Sequence, residues 1–402
     1  MMKYVVLLGD GMADEKIAAL DNKTPLQYAN TPHMDYLAAR SVIGMAGTVP
    51  EGFQPGSDVA NLSVLGYNPK EYYTGRSPLE AVSMGIELND EDVAFRCNLV
   101  TLSEKERYEE KTMVDYSADE ITTAESGQLM AEVSKQLGSG QLKFFPGFGF
   151  RHLLVWTGGP PEVKLTPPHD ISGRVIKPYL PQGRGSEILF NLMKESNSFL
   201  PSHPVNRKRS ETGLRPANSI WFWGQGKRPE LPKFQDKFGL SGSVISAVDL
   251  IKGIGLCAGL DVVKLEGVTG TVKTNYKGKV RAALEELQKG KDFVYIHVEA
   301  PDAAGHRGEP ETKIRAIEMV DEMLGMLLEE MKCFENYKIL LLPDHPTPLR
   351  TMTHSSNPVP FAVYARDCPK EKSRTFDEDS AAASGLYLTG HTLMDFFING
   401  KN

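Results

Sequence analysis

Six side chains of types that can bind divalent cations, three aspartates and three histidines, fall in four short segments of this sequence. Asp10 stands in LLGDGM, Asp302 and His306 in HVEAPDAAGH, Asp344 and His345 in LLLPDHPTP, and His354 in THSSNPVP. Asp302 and His306 are four residues apart, a spacing that sets carboxylate and imidazole on one face of a helical turn. Asp344 and His345 are adjacent, which regular structure would aim apart, but a loop can turn both toward one ion. Gly9 and Gly11 flank Asp10 and give the backbone room to turn beside a ligand. Each segment alone also has an ordinary reading: a turn or helix cap at Asp10 or Asp302, a surface imidazole at His306. Together they form a mixed oxygen and nitrogen set that suits Mn, Co, Zn or Mg, with no thiolate to favour a soft metal. Two such ions close together can clamp the attacking and leaving oxygens of an in-line phosphoryl displacement.

That chemistry needs a nucleophile. In PEGFQPGSDVANLSVLGYNP, Ser57 opens a predicted helix through Asp58, Val59, Ala60, Asn61, Leu62 and Leu65. A serine there is a good N-cap, and the same helix terminus offers backbone N–H groups to an incoming phosphate. A hydroxyl that touches a divalent ion is also activated by a lowered pKa. The other histidines, His33, His152, His203, His297 and His391, apart from His169, read as loop or packing residues.

The elements that must position these groups are strands followed by acidic loops. Strand-like apolar runs occur at Tyr4 to Leu8, Phe293 to Val298 and Ile339 to Leu342, each leading into a ligand segment. Between the last two, Ile314, Ile317, Val320, Met323, Leu324, Leu327 and Leu328 recur at helical spacing and predict a helix over Glu311 to Met331. Strand, helix, strand is the pattern of a parallel α/β sheet, whose chemistry gathers at the carboxyl ends of the strands. Residues 91–216 read differently, with Pro and Gly punctuation at Pro146, Gly147, Pro160, Pro161, Pro167, Pro168, Pro181 and Gly183. They are expected to form an inserted domain, with residues 1–90 and 217–402 as the metal-binding core.

The chain has 402 residues, too many for one ordinary core, and its 41% hydrophobic and 24% charged residues are those of a globular protein. A net charge of -7 argues against a nucleic-acid surface but leaves room for a local basic pocket. No apolar stretch is long enough to cross a bilayer, and the first apolar run is too short for a signal peptide, so no membrane and a cytoplasmic location are expected. Cys97, Cys257, Cys333 and Cys368 are widely spaced and read as buried free thiols.

The segments LLGDGM, PGSDVANLSVLGY, GRSPLEA, PPHDISG, PANSIWFWGQG, EAPDAAGH, PDH and THSSNPVP occur in this order along essentially the whole chain. In this the chain resembles the archaeal-type cofactor-independent phosphoglycerate mutases of the alkaline phosphatase superfamily. The resemblance implies an alkaline-phosphatase-like α/β sheet core with helices on both faces, plus a smaller inserted α/β substrate-binding domain. It implies that Ser57 is phosphorylated during turnover, that Asp10, Ser57, Asp344 and His345 hold one divalent ion, and that Asp302, His306 and His354 hold a second. In the inserted domain it points to His169, Asp170, Arg151, Arg207, Arg209 and Arg215 as substrate groups, since the planar guanidinium fork binds carboxylate or phosphate bidentately. Lys273, Lys277 and Lys279 lie near where the family brings a lysine to the serine phosphate, with Lys279 the best match. One departure is Asp119, which stands where relatives usually have glycine and puts the local loop in doubt.

The implied activity is that of an isomerase of glycolysis and gluconeogenesis. 3-Phosphoglycerate gives its phosphate to Ser57, glycerate turns, and the phosphate returns to the 2-hydroxyl, with two divalent ions and no 2,3-bisphosphoglycerate. A phosphatase, a phosphopentomutase-like enzyme, or a phosphotransferase acting on another small alcohol such as homoserine would use the same ligands. A non-catalytic binding protein on the same core would have no need of all seven groups. Oligomeric state is not readable from the sequence.

Overall fold

The first apolar run forms the strand Met2–Gly9, buried along nearly its whole length as a central parallel strand must be when both its faces are covered. It pairs in parallel with Phe293–Val298 on one side and Asn336–Leu342 on the other. The computed structural model describes residues 2–366 and 374–400. An eight-stranded sheet runs in the order Tyr387–Thr389, Ser41–Gly47, Val359–Ala365, Asn336–Leu342, Met2–Gly9, Phe293–Val298, Gly242–Ile245, Asp261–Val262. All neighbours are parallel except that Val359–Ala365 runs antiparallel to both of its partners.

Side-chain alternation along Met2–Gly9 assigns its two faces. Val5 and Leu7 join the apolar cluster that contains Ile317, Val320, Leu324 and Leu327 of the helix Pro310–Glu330. Tyr4, on the other face, packs edge-on against Phe397 of the helix Leu393–Asn399. The fold is thus α/β with helices on both faces, and the long helix lies one residue from its expected limits.

Two compact units divide the chain: Met1–Tyr73 with Glu230–Asn402, and Thr74–Pro229. The second unit is wider than the expected 91–216 because two flanking segments belong to it. Strand Ser219–Gly226 pairs with Asp92–Leu102, and Ser77 of the helix Ser77–Ser83 donates to the Gly224 carbonyl at 2.6 Å. Its five-stranded sheet is antiparallel, with Met113–Asp115, Asp92–Leu102, Arg151–Thr157 and Leu142–Phe145 in order and Ser219–Gly226 also on Asp92–Leu102. The helix Thr123–Leu137 starts with a capping box between Thr122 and Glu125 and turns Leu129 and Val133 into this unit's core.

Cys97 is buried, but Cys257 is partly exposed and Cys333 exposed, so burial holds for one of the three described thiols; Cys368 lies outside the described residues. Cys333 sits in the turn after the long helix, where the chain surfaces before the next strand. Among the described residues no helix is long and apolar enough to cross a membrane.

Candidate active site

All six expected ligands lie in the core unit, in the segments that leave the carboxyl ends of three adjacent strands. Asp10 follows Met2–Gly9 directly and is buried. Gly11 then takes φ +63, and a Cβ there would come within 2.6 Å of Thr347 Oγ1 and 2.8 Å of Asp302 Cα, so glycine lets this turn press against the next ligand segment. Asp302 and His306 lie on the helix Ala300–His306 after Phe293–Val298, with His306 Nε2 3.4 Å from Asp302 Oδ2. Asp344, His345 and His354 lie beyond Asn336–Leu342.

Ligand atoms of Asp10, Asp344 and His345 lie within 4.8 Å of one another, as do those of Asp302, His345 and His354, so His345 joins two groups. Burial, and then repulsion from Asp344 and Asp302, pushes the Asp10 carboxyl well above the usual carboxylate range. Its Oδ1 is buried with no hydrogen-bond partner, and His345 Nε2 is 3.5 Å away. Burial also holds the His345 imidazole below its ordinary pKa.

The second group is arranged differently. His306 Nδ1 is 3.0 Å from the Met352 carbonyl and His354 Nδ1 is 3.3 Å from the Pro55 carbonyl. A carbonyl only accepts, so each neutral ring carries its proton on Nδ1 and presents a lone pair at Nε2. Those two Nε2 atoms are 2.8 Å apart, and His354 Nε2 is 3.4 Å from Asp302 Oδ1. Burial opposes ionisation of Asp302, but when the His306 and His354 rings are protonated, hydrogen bonds from them outweigh it and hold the carboxyl well below its usual range. The lone pairs and the carboxylate that converge here fit a divalent cation, as does the orphaned Asp10 oxygen.

Ser57 Oγ is 3.1 Å from Nε2 of His345, the residue common to both groups. The helix is Ser57–Val64 with Gly56 at the N-cap, so Ser57 is the first helical residue and its hydroxyl makes no capping bond, contrary to the N-cap expectation. Asn61, one turn on, donates from Nδ2 to the Ser57 carbonyl and to Asp344 Oδ2, both at 2.8 Å. Tyr295 donates its hydroxyl to Asn61 Oδ1 at 2.6 Å. Burial and the charges of Asp344 and Asp10 push that phenol well above its ordinary pKa, which keeps it a donor.

His297, expected to be a packing residue, is fully buried with Nε2 3.0 Å from Asp10 Oδ2, close in space although not in hydrogen-bonding geometry. Burial lowers its pKa to about 3. Its position at the end of the strand that leads to Asp302 was the signal available for it. Asn61, Tyr295 and Thr347 carry no such signal, because their role comes from contacts between distant segments.

Lys279 also lies in the core unit, buried on the helix Tyr276–Gln288, with Nζ donating to the His297 carbonyl at 2.6 Å and its pKa lowered by burial to about 8. The other expected substrate residues are in the second unit. His169 packs edge-on against Trp223 and Tyr116, with Nε2 3.7 Å from Asp170 Oδ1, and Arg151 lies over the Phe150 ring. Arg207 is exposed on the helix Pro204–Glu211. Arg209 is buried and engaged by Glu125 at 2.9 Å, the Ala118 carbonyl at 2.5 Å and the Arg215 carbonyl at 3.0 Å. Arg215 bonds Asp115 and Asp119, each at 3.1 Å. Ala118, Asp119 and Glu120 all have positive φ, which explains why glycine suits position 119, and Asp119 gains compensation by accepting the Arg215 N–H at 2.7 Å.

Two solved proteins share this chain's fold. One, from Pyrococcus horikoshii, is 30% identical with a TM-score of 0.83, covering 100% of this chain and 98% of that one. The other, a cofactor-independent phosphoglycerate mutase from Thermoplasma acidophilum, is 25% identical with a TM-score of 0.65 and 100% coverage of both chains. Residues 38–206 match the family model of 2,3-bisphosphoglycerate-independent phosphoglycerate mutase. A probable enzyme of that name from Geobacter sulfurreducens is 53% identical over 401 residues, 99% of this chain and 100% of the relative. One from Methanothrix thermoacetophila is 48% identical over 402 residues, again 99% and 100%. The chain belongs to the 2,3-bisphosphoglycerate-independent phosphoglycerate mutase family.

Proposed function

We propose that the chain interconverts 3-phosphoglycerate and 2-phosphoglycerate through a phosphorylated Ser57, without 2,3-bisphosphoglycerate. Family membership supports the substrate, and the observation that carries the mechanism is Ser57 Oγ at 3.1 Å from Nε2 of His345, the residue common to both ligand groups. Asp10, Ser57, Asp344 and His345 would hold one divalent ion, and Asp302, His306 and His354 a second, with Mn, Co, Zn or Mg matching the donor set. Bound there, the ions would supply charge neutralisation for the phosphoryl group and a lowered pKa for the serine hydroxyl.

The chain's own groups do the rest. Asn61 fastens the serine turn to Asp344, so nucleophile and ligand keep one geometry through the reaction. The N–H groups at the start of Ser57–Val64 receive phosphate oxygens. Lys279 adds a fixed positive charge at the His297 carbonyl. In the second unit, His169, Asp170, Arg151, Arg207 and Arg215 recognise the carboxylate and hydroxyls of glycerate, and retaining that intermediate is what makes a mutase of this chemistry. Arg209, held inside its unit, acts by keeping Arg215 in place.

The test is purified protein loaded with Mn, given 3-phosphoglycerate and no bisphosphoglycerate, followed by phosphorus NMR and by phosphopeptide mapping after a rapid acid quench. Formation of 2-phosphoglycerate with label on Ser57 is expected. Label on another residue, or turnover only of a different phosphorylated alcohol such as a phosphopentose or phosphohomoserine, would overturn the proposal.

A further inference from the structure

Thr347 lies two residues beyond His345, fully buried, and touches both ligand groups. Its Oγ1 is 2.5 Å from Asp302 Oδ1 and 3.3 Å from His345 Nδ1. The residue is clamped on every side. Its N–H donates to the Ala13 carbonyl at 3.2 Å, and its carbonyl accepts from Lys313 Nζ at 2.8 Å. Lys313, itself fully buried, is held in turn by Asp14 Oδ2 at 2.7 Å. Two glycines make room for it: a Cβ on Gly305 would come within 2.7 Å of the Thr347 carbonyl oxygen and 2.9 Å of its Cγ2, and one on Gly11 within 2.6 Å of its hydroxyl.

A hydroxyl has one proton to give and lone pairs with which to accept. The Asp302 carboxylate can only accept, so the threonine proton goes there. What then faces His345 Nδ1 is an oxygen lone pair, which is met favourably only by N–H. We propose that Thr347 is a positioning residue that fixes neutral His345 in the Nδ1–H tautomer while it orients Asp302, so one hydroxyl ties the two ligand groups together. His345 is thereby left with its lone pair at Nε2, directed at Ser57 Oγ 3.1 Å away and near Asp10 Oδ1 and Asp344 Oδ2 at 3.5 and 3.4 Å. Partners of this kind set the tautomer and basicity of ligating imidazoles in general. The consequence for turnover rests on the mutase reading; the tautomer does not.

The experiment separates the two. Metal-free protein labelled with nitrogen-15 in histidine is compared by NMR as parent, Thr347→Ser, which keeps the hydroxyl, and Thr347→Val, which keeps the shape and loses it. His345 should carry its proton on Nδ1 in parent and in Thr347→Ser, and on Nε2 or on both in Thr347→Val. Mn titrated into each and followed by electron paramagnetic resonance should bind about 10–100-fold more weakly to Thr347→Val, with Thr347→Ser close to parent. In the mutase assay kcat should fall for Thr347→Val with KM little changed. A parent spectrum with the His345 proton on Nε2 overturns the proposal whether or not Thr347→Val folds. Equal impairment of Thr347→Ser and Thr347→Val, or a Thr347→Val with parental tautomer and Mn affinity, overturns it as well. Loss of all phosphoglycerate turnover in the parent would count against the mutase reading alone.

Discussion

The two units treat charge in opposite ways. In the core, the Asp10 carboxyl has a buried oxygen with no hydrogen-bond partner, and the Nε2 atoms of His306 and His354 face each other at 2.8 Å. In the second unit, the cations seek partners within the unit: Arg209 holds Glu125, and Arg215 holds Asp115 and Asp119. A site built for a cation declares itself through negative charge and lone pairs that nothing in the chain compensates. A site built for an anion from arginines does not, because a guanidinium has five donors and finds internal acceptors whether or not a substrate is near.

The contrast breaks most decisively at the core. Ser57→Ala should drop mutase turnover to background with little change in melting temperature, because Gly56 and not Ser57 occupies the N-cap. Retained turnover measured by a coupled enolase assay would remove the core's claim to the chemistry. Exhaustive demetallation, verified by elemental analysis, should likewise abolish activity, and Mn or Co should restore it at least as well as Mg, since three of the six carboxylate and imidazole ligands are histidines.

Substitutions in the second unit should cost less and change a ratio. Arg151→Ala and Asp170→Ala should each lower mutase turnover roughly ten- to a hundredfold, the worth of one charge-assisted hydrogen bond at about 1.5–3 kcal/mol. Mn affinity should stay as in the parent, and the ratio of inorganic phosphate released to 2-phosphoglycerate formed should rise as glycerate escapes. An unchanged rate and ratio for both would take these residues out of substrate retention.

The smallest effect is on acid stability. Burial and the nearby charge of Arg96 lower the His152 pKa from 6.5 to about 3. Between those values the unfolded chain binds a proton that the folded unit does not, so stability present above pH 6.5 is lost as pH falls, by about 1.4 kcal/mol per pH unit. Hydrogen exchange in the strand Arg151–Thr157 should show protection falling from pH 6.5 to roughly pH 5 by about 2 kcal/mol, unchanged by added Mn. A flat profile would mean that His152 is not held neutral.

What the sequence discloses follows the same line. Strands such as Phe293–Val298 and the helix Pro310–Glu330 are legible because burial on a sheet or helix face leaves a periodic apolar pattern. Asp10, Asp302, Asp344, His345 and His354, which fall together in two groups, stand out in the sequence as carboxylates and imidazoles in segments that follow apolar strand runs, whereas His306 is exposed and adjoins them through His354 Nε2 at 2.8 Å. Thr347 and Asn61 are not legible, since a threonine in a loop and an asparagine in a helix are common everywhere and these two matter only through partners far away in the chain. The edges of the second unit were missed for a related reason. Ser219–Gly226 completes a sheet with Asp92–Leu102 across more than a hundred residues of chain, and no local pattern marks that pairing.

The central place of Met2–Gly9 in its sheet also sets a timetable for making the protein. Tyr4 pairs with Phe293 and Lys338, both far downstream, whereas every strand of the second unit lies within Thr74–Pro229. At roughly 5–20 residues per second, the ribosome finishes the first partner of this strand on the order of 15–60 s after the strand itself. During that interval the second unit can close on its own, while an apolar strand carrying Asp10 waits in an open chain. The segment that carries Asp10 is therefore exposed to chaperones and proteases at birth, and the candidate site can close only after His354 has been made.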